Sequence, residues 1–235
     1  YLNADKCELN YHESYLTNVK GVANIIKAIK TVGIDSVLLH FSSDFVFDGK
    51  KGNYTEDDTP NPINVYGMHK FIADELILNS DVPHYIFRIA GVIGWHPSKN
   101  NFLKAILKKA VREKKVEVVK DIYTSCSTPE FISDVIIEFL NKKPPFGLYN
   151  VVAEGQTSWY EIANFAFQYY NLPYTIIPIE SSKYNFIAKR PTNSTLSVMK
   201  LSNQLGINQN WKEVIKSHLK LKEKNYLEII QNENK

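Results

Sequence analysis

Apolar residues along this chain keep two alternating rhythms. One is the short, continuous run: Val37-Leu38-Leu39-His40-Phe41, the stretch His84 to Ile93, Val116 to Val119, Gly147 to Val152 and Tyr174 to Pro178. Runs of this length rich in β-branched and aromatic residues predict buried parallel strands rather than core helices. The other rhythm repeats every three to four residues. It runs from Tyr15 to Thr31 through Val19, Val22, Ala23, Ile25, Ile26 and Ile29, and again from Tyr66 through Phe71, Ile72, Leu76 and Ile77. Phe102 to Val111, Phe131 to Leu140, Trp159 to Tyr169, Met199 to Leu205 and the segment from Trp211 follow it as well. Gly33 stands where a helix would need a left-handed cap. Strands that alternate with helices predict an α/β fold with a mainly parallel, doubly wound sheet. Tyr1 to Glu8 reads as a loop entering a helix, and Asp48 to Ile63, with two Gly and two Pro, as an ordered loop over the sheet edge.

The junction from Ser42 to Lys70 is where polar chemistry gathers. In open α/β sheets, ligands bind outside the carboxyl ends of the strands, and Ser42, Ser43 and Asp44 follow such a strand directly. Tyr66 and Lys70 lie four residues apart on the next helix and so share a face. A free phenol titrates near ~10, too high for easy proton exchange at neutral pH. An ammonium beside it favours the phenolate and makes a usable general acid or base. Ser43 is placed to hold a reacting oxygen by a hydrogen bond. A Tyr and a Lys at this spacing are common by themselves; the ordered pattern around them carries more weight.

That pattern is Ser42-Ser43-Asp44-Phe45-Val46-Phe47-Asp48-Gly49, an acidic loop with Asn61-Pro62, then Val65-Tyr66-Gly67 and Lys70. It resembles the dTDP-4-dehydrorhamnose reductase family of the extended short-chain dehydrogenase/reductase superfamily. Tyr1 and Asp5 fall on that family's A-Y-T-x-V-D-x-A-E, Gly147-Leu148-Tyr149 with Ser158-Trp159 on its G-x-Y and T-x-W, and Arg190-Pro191-Thr192-Asn193-Ser194 on its R-P-x-N-S.

The resemblance implies a Rossmann-type sheet lacking its first strands and a smaller C-terminal substrate lobe. Residues 1–94 would belong to the dinucleotide-binding domain and residues 95–235 to the lobe interleaved with the end of the sheet. It implies NADPH or NADH as cofactor, held by Tyr66, Lys70, Tyr1, Ser42 and Asn18. A nucleotide-linked 4-keto-6-deoxy sugar would be held by Ser43, Asp44 and Arg190, with Tyr66, Lys70 and Ser43 catalytic and no metal. A homodimer in the cytoplasm is the matching assembly and place. No G-x-x-G-x-x-G turn occurs in the 235 residues. The family puts it in two βα units of roughly 60 residues before the position of Tyr1. The expectation is a longer natural protein, and poor dinucleotide binding by this chain alone.

Two departures bear on the sugar. Ser43 stands where the family has Thr and keeps the hydroxyl. Gly91 stands where some members place a Trp over the sugar, so that contact is absent or comes from Trp95. Two other functions fit the same motifs: a nucleotide-sugar epimerase, and a non-catalytic NADP-binding regulatory subunit of the methionine adenosyltransferase type. A dehydratase would need Asp-Glu where this chain has Asp44-Phe45.

Composition narrows the rest. A net charge of +3, spread over dispersed Lys, gives no case for nucleic acid. Two cysteines without metal-ligand spacing predict reduced thiols rather than a disulfide framework. No run approaches the ~20 apolar residues of a membrane span. Arg88, inside a strand, is expected in a core ion pair or on a phosphate. Glu56 to Asp58 are expected to be solvated.

Overall fold

A computed structural model describes residues 1–33, 35–98 and 101–232. Helices α1 (Ala4–Leu9), α2 (Tyr11–Tyr15) and α3 (Gly21–Val32) lead into β1 (Leu38–Ser43), α4 (Val65–Leu78) and β2 (His84–Ile89). Then come α5 (Phe102–Glu113), β3 (Lys115–Val119), β4 (Tyr123–Thr124), α6 (Pro129–Lys142) and β5 (Gly147–Asn150). β6 (Thr157–Ser158), α7 (Trp159–Tyr169), β7 (Thr175–Ile179), α8 (Met199–Leu205), α9 (Trp211–Leu221) and α10 (Glu223–Asn232) complete the order.

The main sheet is parallel, in the order β1-β2-β5. Side chains alternate across its central strand, and each face meets its own helices. Ile86 packs with Val22 and Ile26 of α3, Ala73 and Ile77 of α4, and Leu148 of β5. Tyr85 and Phe87 point the other way, into the larger core with Val135, Phe139 and Tyr149. Each such fully buried side chain contributes roughly 1.5–3 kcal/mol. This two-sided covering is the doubly wound arrangement that the sequence predicts. β3 and β7 form a separate parallel pair, and β4 with β6 a short antiparallel one that periodicity did not signal.

Three differences from expectation have local causes. The helix expected from Tyr15 to Thr31 is broken into α2, a π-helical turn at Leu16–Lys20, and α3. Gly33 does cap it, at φ 67°, with its N–H on the Ile29 carbonyl at 3.0 Å. β1, expected to be buried, is half-buried, with Phe41 40% exposed, because it is the edge strand of its sheet among the described residues. β2 stops at Ile89 rather than Ile93, because Gly91 turns the chain at φ 47° and Ile93 N–H then bonds Ser127. Cys7 and Cys126 are both free and buried. No helix among the described residues is long and apolar enough to cross a membrane.

Candidate active site

Where β1 ends, alternation sends neighbouring hydroxyls to opposite faces. Ser43 turns toward a cavity of about 490 Å³ at the carboxyl ends of β1 and β2. Ser42 turns away, its Oγ donating to Asp74 Oδ2 at 2.6 Å beneath the strand. The Ser42 hydroxyl thus serves a buried carboxylate rather than the cavity.

The first turn of α4 is held from two sides. Asn64 caps it by accepting from Gly67 N–H at 2.8 Å, and Glu8 of α1 accepts from Val65 N–H at 2.9 Å. Gly67 is packed so tightly on the 3-10 turn Asp44–Val46 that an added Cβ would fall 2.0 Å from the Phe45 carbonyl oxygen. This close approach seats Tyr66 beside Phe45, rings 6.0 Å apart and edge-on, with Tyr66 in the cavity wall.

Asp44 is the most enclosed acid of the wall, at 4% exposure. Its Oδ2 accepts from Ser194 Oγ at 2.5 Å and Thr124 Oγ1 at 3.3 Å, and its Oδ1 from Ser43 Oγ at 3.1 Å. Burial raises its pKa to about 6 against the pull of those three hydroxyls. Burial also pushes the Tyr66 phenol well above its ordinary value; the Ser43 hydroxyl draws it back and the Asp44 charge adds to the rise.

Here the structure departs from the expected pairing. Lys70 is buried and donates to the Phe41 carbonyl at 2.5 Å, back into the sheet, and it is not among the residues lining the cavity. Desolvation lowers its pKa, with the Asp74 charge opposing. In this state Tyr66 is therefore a neutral phenol tuned by Ser43 and Asp44, and the expected lowering by Lys70 is not seen.

Arg190 also lines the cavity. One guanidinium nitrogen donates to Asp5 Oδ1 and another to the Ala188 carbonyl, both at 2.9 Å, and the group lies 4.8 Å from the Phe186 ring centre. It is thus both cavity-facing and paired with an acid. Tyr1 and Asn18 do not line the cavity. Asn18 is buried and ties the Tyr1 amine and carbonyl at 3.0 and 2.9 Å, so it fixes the chain before α1 rather than presenting an amide to a ligand.

Arg88 resolves as a core ion pair, its Nε 3.8 Å from Asp74 Oδ2 and its guanidinium over Phe47, not as a phosphate contact. The acids of the 48–63 loop are not simply solvated. Glu56 accepts from Asn150 N–H at 2.8 Å and Asp58 from Thr55 N–H at 2.7 Å, which pins the loop to β5. Trp95 does not take the place of a Trp at Gly91: it packs edge-on against Tyr226, while Trp159 lines the cavity. A side chain at Gly91 would meet the Ser125 carbonyl at 2.6 Å.

Sequence reasoning missed two of the groups on Asp44. Ser194 sat inside a recognised motif, R-P-x-N-S, without an assigned role. Thr124 carried no local signal, since its place beside Ser194 comes from the bridge between Tyr123 and the Thr192–Ser194 segment, some seventy residues on. Phe186 and Trp159, which shape the apolar side of the cavity, likewise depend on tertiary placement.

A two-sided parallel sheet with a Tyr and a hydroxyl residue converging at its strand ends defines a class: Rossmann-type α/β proteins with the site at the carboxyl edge. Within it, the chain belongs to the family described as RmlD substrate binding domain, which matches residues 1–223. It is similar to the dTDP-4-dehydrorhamnose reductase of Aggregatibacter actinomycetemcomitans, 31% identical over 92% of this chain and 77% of that protein. The spore coat polysaccharide biosynthesis protein SpsK of Bacillus subtilis is 29% identical over 93% of this chain and 76% of its own length. Among solved structures, the dTDP-4-dehydrorhamnose reductase of Bacillus anthracis in complex with NADP superposes with a TM-score of 0.86 at 25% identity, covering 94% of this chain and 78% of that one.

Proposed function

We propose that this chain takes part in the reduction of the 4-keto group of a nucleotide-linked 6-deoxy sugar by NADPH or NADH. The observation that carries this reading is the convergence of Tyr66, Ser43 and Arg190 on one cavity. A bound reduced nicotinamide supplies the hydride. Tyr66, kept neutral by burial, gives its proton to the ketone oxygen as that oxygen gains charge. The Ser43 O–H, which donates to Asp44 in this structure, would turn to donate to the ketone oxygen and orient it. Arg190 offers a planar pair of donors to the diphosphate, and Asp44 borders the sugar.

The residues present fit the nicotinamide-ribose end of the cofactor. Lys70, one helical turn from Tyr66, would supply that end from the ammonium donors beyond the one spent on the Phe41 carbonyl. The pyrophosphate end needs a turn rich in backbone N–H groups, and these 235 residues contain no G-x-x-G-x-x-G. We take residues 1–94 as the cofactor-side part and residues 95–235 as the substrate lobe; β5, from the later part, pairs with β2.

The test is NADPH consumption with a dTDP-4-keto-6-deoxy sugar. Loss of at least ~10²-fold in turnover is expected for Tyr66→Phe, with sugar binding retained. Isomerisation of the sugar without NADPH consumption, or a Tyr66→Phe variant within a few-fold of the parent, would overturn the reading.

A further inference from the structure

Asp44 is a buried acid whose bonding partners among the described residues are hydroxyls rather than cations. Those hydroxyls come from three separate segments: Ser43 next to it, Thr124 eighty residues on and Ser194 one hundred and fifty residues on. The Ser43 oxygen already accepts from Phe45 N–H at 3.2 Å. Ser43 and Tyr66 line the same cavity and the Ser43 hydroxyl acts on the phenol; its O–H donates to Asp44 at 3.1 Å in this structure and can turn to Tyr66 once Asp44 carries a proton. The protonation of Asp44 thus sets which way Ser43 donates.

We propose that Asp44 is the proton store of this site, refilling Tyr66 through the Ser43 hydroxyl, and that Ser194 and Thr124 hold the carboxylate left behind. This rests on Tyr66 being the acid. After Tyr66 has given its proton to the ketone oxygen, the Ser43 O–H bond breaks as a new O–H forms on the Tyr66 phenolate. The acid proton of Asp44 moves at the same time to Ser43, and Asp44 is left as the carboxylate, to be reloaded from water. Its pKa of about 6 keeps a fraction protonated near neutrality. The titratable and charged groups around the carboxylate are Tyr66 from α4 and, on the same cavity, Arg190 with its partner Asp5; β4 presents Thr124. Cys7 and Asp74 act on Tyr66 from behind.

The role makes Asp44 a positioning and supply group, not a group that touches the sugar oxygen, and it gives a signature that a structural latch lacks. In ¹³C NMR of the chain labelled at Asp and Tyr, the Tyr66 ring carbon bearing oxygen should show a step at the Asp44 midpoint, and that step should vanish in Ser43→Ala. Ser194→Ala removes a donor to the carboxylate, so the Asp44 midpoint should move to higher pH. Thr124→Val should move it the same way by less, and serves if Ser194→Ala does not fold. In turnover, kcat should fall about tenfold per pH unit above that midpoint, as for a single required proton. Ser194→Ala should carry the limb upward with it. A Tyr66 resonance blind to Asp44, or a limb that stays fixed while only KM or stability changes, overturns the proposal and leaves Ser194 as a latch. A chain that reduces no keto sugar but keeps the Asp44–Tyr66 coupling would instead sink the proposed reaction alone.

Discussion

Gly67→Ala offers a sharp check on how α4 delivers Tyr66. In an ordinary helix interior this change stabilises by about 1 kcal/mol, because Ala loses less backbone freedom than Gly. Here the new methyl would lie 2.0 Å from the Phe45 carbonyl oxygen and 2.8 Å from its carbon. The two backbones must part by about 1 Å before the contact reaches the shortest separation that side chains tolerate. Both are anchored, α4 by Asn64 and Glu8 and the 3-10 turn by Ser43 and Asp44. Overpacking of this kind costs roughly 1–3 kcal/mol and outweighs the helical gain. The expected result is a net loss of up to about 2 kcal/mol, a fall of roughly 2–4 °C in Tm per kcal/mol for a chain of this size. Because the shift separates Tyr66 from Ser43, turnover should drop by on the order of 10²-fold. Gly21→Ala is the matched control: its nearest neighbour is the Leu16 carbonyl oxygen at an ordinary 3.6 Å, so it should gain about 0.5–1 kcal/mol. Thermal unfolding followed by circular dichroism reads both. If the two variants move Tm in the same direction, the close approach of α4 to the strand end is not what seats the phenol.

Asp5→Asn keeps an acceptor for Ala188 N–H but loses the charge that steadies Arg190. With both partners partly exposed, the pair contributes at most about 1 kcal/mol, so a rise of up to about fivefold in sugar-nucleotide KM, with kcat little changed, is expected from steady-state kinetics. Ser158→Ala removes the side-chain half of the capping box at the start of α7, the hydroxyl that accepts from Glu161 N–H, and keeps the backbone half, Ser158 N–H on Glu161 Oε2; it should cost about 0.5–2 kcal/mol in urea unfolding. Burial, with the Lys70 charge adding to it, lowers the His40 pKa to about 3 from 6.5. The unfolded chain then binds the extra proton between those values, so His40 makes stability fall as pH drops through that window. Compared by urea unfolding at pH 7 and pH 5, the parent should lose more than a His40→Gln variant; equal losses would show that His40 is not buried as the neutral ring.

The alternation of short apolar runs with helical ones predicted the parallel sheet, since Tyr85, Ile86 and Phe87 serve cores on both faces. The ends of elements were less legible. Where β2 stops depends on Gly91 lying under the Ser125 carbonyl, a contact between residues far apart in sequence. At the site, Ser43, Tyr66 and Arg190 were readable because each stands in a motif of ordered spacing. The orientation of Ser42 was not, although the two-residue period of β1 places it opposite Ser43 and so carried the answer. Glu56 was misjudged because composition sees an acidic loop, whereas the bond to Asn150 N–H needs β5 beside it.

The placement of Lys70 separates two electrostatic tasks that a single helical turn might be thought to combine. Asp74 lies one turn further along α4, beneath the sheet, with Ser42 at 2.6 Å, His40 at 3.7 Å and Arg88 at 3.8 Å. Its charge and the Phe41 carbonyl both favour an ammonium at Lys70, so the cation is stabilised from within the sheet and not by a phenolate. Among the groups that line the cavity, Ser43 and the Asp44 carboxylate act on the phenol, and an anion there raises rather than lowers its pKa. The raised pKa keeps Tyr66 in its protonated form, so the proton a ketone needs is present at the site, while the phenol itself is a weaker acid than a free one. The same geometry makes the bias adjustable. Protonating Asp44 removes the anion and turns the Ser43 hydroxyl toward Tyr66, and both changes favour the phenolate, so the direction of proton flow follows the state of one buried carboxyl group.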